Sequence, residues 1–161
     1  LKRSGRVFER SVSTVKIYFA GSIRGGRGDV ASYRELIRFL RSFGTVLTEH
    51  VGDVELSDIG DDGPNDPAIH DRDMAWLRSC DLMVAEVTVP SLGVGYELGR
   101  ACALHKPTLA LYRPQPGKRL SAMIAGSAAI LTAEYDGIEQ AQEKIREFIR
   151  SATHRKAAEV G

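Results

Sequence analysis

The sequence predicts an α/β fold, a doubly wound, flavodoxin-like or Rossmann-like five-stranded parallel sheet with helices on both faces. Three observations predict it. Short apolar runs recur five times, amphipathic helical segments fill the gaps between them, and the turns after two of the runs are rich in glycine. Runs that are continuous rather than alternating belong to strands covered on both faces. Right-handed crossovers then put helices on each side of the sheet. The pattern leaves the strand order open.

The elements follow in turn. Strands are predicted at Lys16–Ala20, Thr45–Thr48, Leu82–Val87, Thr108–Tyr112 and Ala129–Leu131. The first helix, Val30–Phe43, carries Tyr33, Leu36, Ile37 and Leu40 at helical spacing and is expected to stop at Gly44, a residue suited to a helix C-terminus. A second helix covers Pro67–Ser79. The third follows Gly95 and ends before Pro107, and the last repeats apolar residues at Ile138, Ala141, Ile145, Phe148 and Ile149. Residues 1–15 are expected to be a disordered leader, although Lys2, Arg3, Arg6 and Arg10 among serines also suit an organelle transit peptide. Residues 16–151 then form one domain, and 152–161 a tail that frays from the last helix. The acidic segment 52–65 lacks the ligand spacing of an EF-hand and reads as a solvated loop.

Composition narrows the function. With 161 residues the chain can bury a core without disulfides or metal. Its 22 basic and 21 acidic residues give a net charge of +1, so no overall field recruits a nucleic-acid polymer or an anionic membrane. No apolar stretch has the length of a membrane span. Cys80 and Cys102 form no metal or disulfide framework and read as reduced thiols of an intracellular protein. No metal site or cofactor is expected.

The richest segment runs from Val84 through Ser91, Gly93 and Gly95 to Glu97, an apolar strand opening through a glycine-spaced turn into a helix. Helix starts at the carboxyl edge of a parallel sheet favour phosphate. Glu97 is expected in the first turn of that helix, where the bland explanation is a favourable dipole worth roughly 0.3–1 kcal/mol. The first strand likewise opens into Gly21, Ser22, Ile23, Arg24, Gly25 and Gly26, a plausible phosphate cradle that matches neither a P-loop nor the dinucleotide fingerprint. Ile69, Asp73, Trp76 and Leu77 share one helical stripe, so Asp73 lies on an apolar face and needs a partner, a proton or a cavity. A neighbouring Arg72 or Arg78 could compensate it, whereas Asp71 points elsewhere. Tyr18, just before the glycine turn, is either core or a phenol that orients a carboxylate. Two carboxyl groups and a phenol suit glycosyl transfer, one carboxylate attacking the anomeric carbon while an acid protonates the leaving group. His50 could contact a base, and Ser121 could cap a short helix.

The segments IYFAGSIRGG, FGTVLTEHV, IHDRDMAWL, VAEVTVPSLGVGYELGRA and LSAMI occur in that order between residues 17 and 127. On these segments the chain resembles the 2′-deoxynucleoside 5′-monophosphate N-hydrolases, relatives of the nucleoside 2-deoxyribosyltransferases. The resemblance implies cleavage of the N-glycosidic bond of a deoxynucleotide to a free base and 2-deoxyribose 5-phosphate. It implies that Glu97 is the nucleophile, that Asp73 assists departure of the base and activation of water, and that Tyr18 orients the site. Gly21, Ser22, Ile23, Arg24, Gly25 and Gly26 would line the substrate pocket, and Ser91 and Gly93 would hold the 5′-phosphate. Ser121 and Met123 match positions that reach into the partner's site, so a symmetric homodimer is implied. The small-molecule deoxynucleotide is the expected partner, and the cytoplasm or nucleus the expected place. A transferase that passes the sugar to a second base, or a nucleotide-binding module without turnover, are the competing readings.

Overall fold

The computed structural model describes residues 14–22, 29–48, 51 and 65–160. Five parallel strands, β1 (Val15–Ala20), β2 (Gly44–Val46), β3 (Leu82–Glu86), β4 (Thr108–Tyr112) and β5 (Leu131–Glu134), pair in the order β2-β1-β3-β4-β5. That order reverses between β1 and β3, where the carboxyl ends of the strands open a crevice. Helices α1 (Val30–Leu40), α2 (Asp66–Ser79), α3 (Leu92–Ala103), α4 (Ala122–Ala125) and α5 (Ile138–Val160) complete the fold.

Period-two alternation divides the sheet into two cores. Ile17, Phe19, Leu82, Val84, Leu109 and Leu111 pack with α1 and α5, which contribute Leu36, Leu40, Ile145 and Phe148 among others. Tyr18, Ala20, Met83, Ala85 and Ala110 face the other way, against Met74 and Leu77 of α2 and Val94, Leu98 and Ala101 of α3. Tyr18 therefore lies on the face covered by α2 and α3. β3 and β4 are buried at every position, which is why apolar residues dominate both sequences.

Local chemistry fixes the ends of these elements. Asn65 caps α2 by accepting a hydrogen bond from the Ala68 N–H at 3.0 Å, with Pro67 in the first turn. β2 is only three residues long, and the buried Thr48 then replaces its ladder: Oγ1 accepts from the Phe19 N–H at 2.8 Å and donates to the Phe19 carbonyl at 2.6 Å. β1 is thereby held along its length up to the site. α3 closes with the Lys106 N–H bonded to the Ala101 carbonyl and the His105 N–H to that of Cys102, a Schellman motif with His105 at φ 54° in the glycine position.

Several boundaries differ from those the sequence predicts. α3 starts at Leu92, three residues before the end of its glycine run, because Ser91 caps it. Glu97 is consequently in the second turn, beyond the reach of a first-turn dipole. Gly44 does not end α1, which stops at Leu40 with Arg41 in helical conformation. It opens β2, and a Cβ there would lie 2.0 Å from the Val15 carbonyl oxygen, so close approach of β1 demands the glycine. β5 lies at 131–134 rather than 129–131, and α5 continues past Ser151 to Val160. Among the described residues no helix is long and apolar enough to cross a membrane.

Candidate active site

Tyr18 and Glu97 meet in the α2/α3 face of the crevice. The Tyr18 hydroxyl donates to Glu97 Oε1 at 2.5 Å, and its side chain is 1% exposed. The buried strand gives the phenol no water, so burial and the adjacent Glu97 push its pKa far above the usual range. It stays protonated and acts as a fixed donor. Glu97 projects from α3 one position before the buried Leu98, which locks that stretch of helix against the sheet. Burial first, and the charge of Asp73 in addition, push the Glu97 carboxyl up to about 7, while the Tyr18 hydrogen bond pulls the other way.

Asp73 comes from α2, one position before the buried Met74. Its charge acts on both Tyr18 and Glu97, so three groups from three elements form one electrostatic unit. Asp73 is also held by Arg72, whose Nε donates to Oδ1 at 2.9 Å and whose guanidinium lies 4.8 Å from the centre of the Trp76 ring. Arg72 is the compensating cation the helical stripe requires. Asp71, the residue pointing elsewhere, is exposed and pairs with His70 at 3.0 Å. The other ring nitrogen of His70 shares a hydrogen bond of 3.1 Å with the Tyr96 hydroxyl, joining α2 to α3.

The remaining sequence candidates divide. Ser22 follows β1 and is fully buried, and its Oγ has no partner among the described residues, although its N–H donates to the Tyr33 hydroxyl at 3.2 Å. An unpaired buried hydroxyl at a sheet's carboxyl edge is costly unless a ligand or water satisfies it. Gly21 has a structural reason of its own: a Cβ there would sit 3.0 Å from the Tyr33 ring. Ser91 caps α3 through a long bond of 3.4 Å from the Val94 N–H, leaving its hydroxyl hydrogen free to donate outward. A Cβ on Gly93 would meet only Ser91 Oγ, at 3.8 Å. Ser121 precedes α4 but makes no capping bond through its side chain. It is exposed, and Met123 is 85% exposed. Ile23, Arg24, Gly25, Gly26, His50 and the segment 52–64 lie outside the described residues.

A second polar group closes the opposite face of the same sheet edge. The fully buried Glu86 ends β3 and accepts hydrogen bonds from both the N–H and the hydroxyl of Thr88 and, at 3.1 Å, from the Tyr135 hydroxyl. It was not among the sequence candidates. The available signal was a lone carboxylate closing the apolar run Leu82–Glu86.

Two carboxyl groups with a fixed phenol, beside a capped helix start at the switch point of a parallel sheet, form the kind of α/β site that can direct substitution at a glycosyl carbon. More narrowly, the chain belongs to the nucleoside 2-deoxyribosyltransferase family, whose model matches residues 17–123. It is similar to the mouse 5-hydroxymethyl-dUMP N-hydrolase, with 61% identity over 113 residues that span 70% of this chain and 65% of the mouse protein. The zebrafish protein of the same name is 59% identical over 71% of this chain and 80% of its own length. A putative 2′-deoxynucleoside 5′-phosphate N-hydrolase 1 of Nematostella vectensis is 62% identical over 71% and 78%. Among solved structures, a CMP N-glycosidase of Clostridium botulinum matches the fold with a TM-score of 0.58 at 19% identity, covering 81% of this chain and 98% of that one.

Proposed function

We propose that this protein hydrolyses the N-glycosidic bond of 2′-deoxynucleoside 5′-monophosphates, releasing a free base and 2-deoxyribose 5-phosphate. The observation that carries the reading is the Tyr18–Glu97 hydrogen bond with Asp73 in electrostatic contact. The names of the relatives from mouse, zebrafish and Nematostella support it, and they make 5-hydroxymethyl-dUMP the first substrate to test.

The Glu97 carboxylate attacks C1′ as the C1′–N bond breaks, and a proton from Asp73 passes to the departing base. A glycosyl ester on Glu97 results. Asp73, now ionised, accepts a proton from water, which attacks C1′ and frees Glu97. Tyr18 donates to Glu97 throughout, holding the attacking oxygen in place and steadying it as it leaves. A 2-deoxy sugar lacks the electron-withdrawing 2′-hydroxyl, so positive charge at C1′ develops easily. Phosphate held by Ser91 and the α3 start, with Ser22 on the sugar side, would turn remote binding into alignment of C1′. On this reading Met123 and Ser121, exposed on this protomer, would enter the partner's site of a homodimer. The exposed Leu92 at the start of α3 fits that assembly.

The test incubates purified protein with deoxynucleoside 5′-monophosphates, with and without a second free base, and resolves the products. Base plus 2-deoxyribose 5-phosphate, absent with Glu97→Ala, supports hydrolysis. A new nucleotide indicates transfer, the reading suggested by the family's own description, and no turnover of any base indicates a binding module.

A further inference from the structure

The carboxyl edge of the sheet carries a polar chain, buried at Glu86, Thr88 and Tyr135 and part-buried at Arg113 and Asp29, that the proposed reaction does not use. Beyond its bonds to Glu86, Thr88 accepts at Oγ1 from the Arg113 N–H at 2.9 Å. The Arg113 side chain crosses to α1, where Nη2 donates to Asp29 Oδ1 at 2.6 Å, and its guanidinium lies 5.9 Å from the centre of the Tyr135 ring. Asp29 stands at the N-cap of α1, the position where aspartate ordinarily caps its own helix, yet its side chain makes no capping bond. Its carboxylate is committed to Arg113. Four elements are tied together in this way: the end of β3, the end of β4, the residue after β5 and the start of α1.

Such a chain is costly to bury unless every member is satisfied, and here the members satisfy one another. It lies on the α1/α5 face, behind the sheet edge whose other face carries Tyr18 and Glu97. Thr88 is the point of transmission. It sits in the connection 87–91 that leads from β3 to Ser91, whereas α3 itself is anchored separately by Val94, Leu98 and Ala101. Loosening Thr88 would therefore move Ser91 and the first amides of α3 before it moved Glu97.

We propose that Glu86, with Thr88, Tyr135, Arg113 and Asp29, is a positioning group that sets the connection before α3 and the start of α1 for binding the substrate's phosphate. The inference rests on the reading of Ser91 as the phosphate contact.

The test compares wild type with Thr88→Val, Tyr135→Phe and Asp29→Asn. Inorganic phosphate serves as a competitive inhibitor of deoxynucleotide hydrolysis, and the melting temperature of each variant is recorded. Each variant is expected to raise the inhibition constant of phosphate and the KM about tenfold while kcat stays within about twofold, the effect of a displaced binding group. A lower melting temperature with unchanged phosphate inhibition would overturn the proposal, as would a fall in kcat with phosphate inhibition intact. Asp29→Asn, at the rim of the chain, carries the test if the buried variants do not fold. Wild type that releases no base would refute the hydrolase reading separately. Calorimetric binding of inorganic phosphate to wild type and Asp29→Asn then decides: weaker binding by the variant supports the positioning group, and equal binding or none by either overturns it.

Discussion

Glu97 and Asp73 share one problem, two carboxyl groups close to each other in a site with little water. With Glu97 pushed up to about 7, Glu97 carries a proton below that value, and the proposed reaction needs that proton delivered through Asp73 to the departing base with the charge left on Glu97. kcat/KM is expected to fall above about pH 7, as Glu97 loses that proton. Tyr18→Phe removes a bond that favours ionised Glu97, so the falling limb should move to higher pH. Asp73→Asn removes the proton donor and a repelling charge; its residual activity should instead rise with pH through a value below that of Glu97 in wild type. A pH–rate series on the three proteins checks both directions, and unmoved limbs would detach Tyr18 and Asp73 from Glu97. Stability follows the same sign. Glu97 takes up a proton more readily folded than unfolded, so its cost is absent at low pH and complete above about 7. Glu97→Gln is expected to raise stability by about 1–3 kcal/mol at pH 8 and by nothing near pH 4, measured by urea unfolding. Asp73 was legible as a carboxylate on an apolar stripe. Tyr18 was legible as a phenol able to orient a carboxylate, but its pairing with Glu97 was not, because the two are 79 positions apart and only the fold brings them within 2.5 Å.

At the scale of elements, capping and close approach decided what periodicity could not. The five apolar runs were readable because β1, β3 and β4 are covered on both faces, while β5, exposed at most positions, was displaced in the sequence reading. The glycines misled most. Gly44 looked like a helix stop and is a strand contact, and the glycine spacing after Ser91 suggested a turn where α3 is already helical. Gly44→Ala is therefore expected to destabilise by about 1–3 kcal/mol, through overpacking against the β1 backbone rather than through a lost cap. His105→Gly should do the opposite, gaining roughly 0.5–1 kcal/mol, because His105 occupies a positive φ that glycine adopts freely. Chemical denaturation of the two variants measures both. A neutral Gly44→Ala would contradict the packing argument.

The whole molecule places an acidic pair on one face of a sheet edge and a largely buried polar chain on the other, and it leaves large apolar side chains exposed. Leu92 and Met123 are 97% and 85% exposed, a cost that a second copy of the chain would remove. A composite site predicts complementation. Glu97→Ala and Met123→Asp, each inactive alone, should recover about a quarter of wild-type activity when mixed and allowed to exchange, since half the dimers pair the two variants and one site in each is intact. No recovery between variants that do exchange would put each site within one protomer. The covalent step is the centre of the account, and it is tested most directly by quenching a single turnover of 5-hydroxymethyl-dUMP with acid and mapping the peptides by mass. The account predicts a transient deoxyribosyl phosphate ester on Glu97 that forms with release of the base and decays as sugar phosphate appears; base released with no adduct at any time, or an adduct on Asp73 instead, would contradict it.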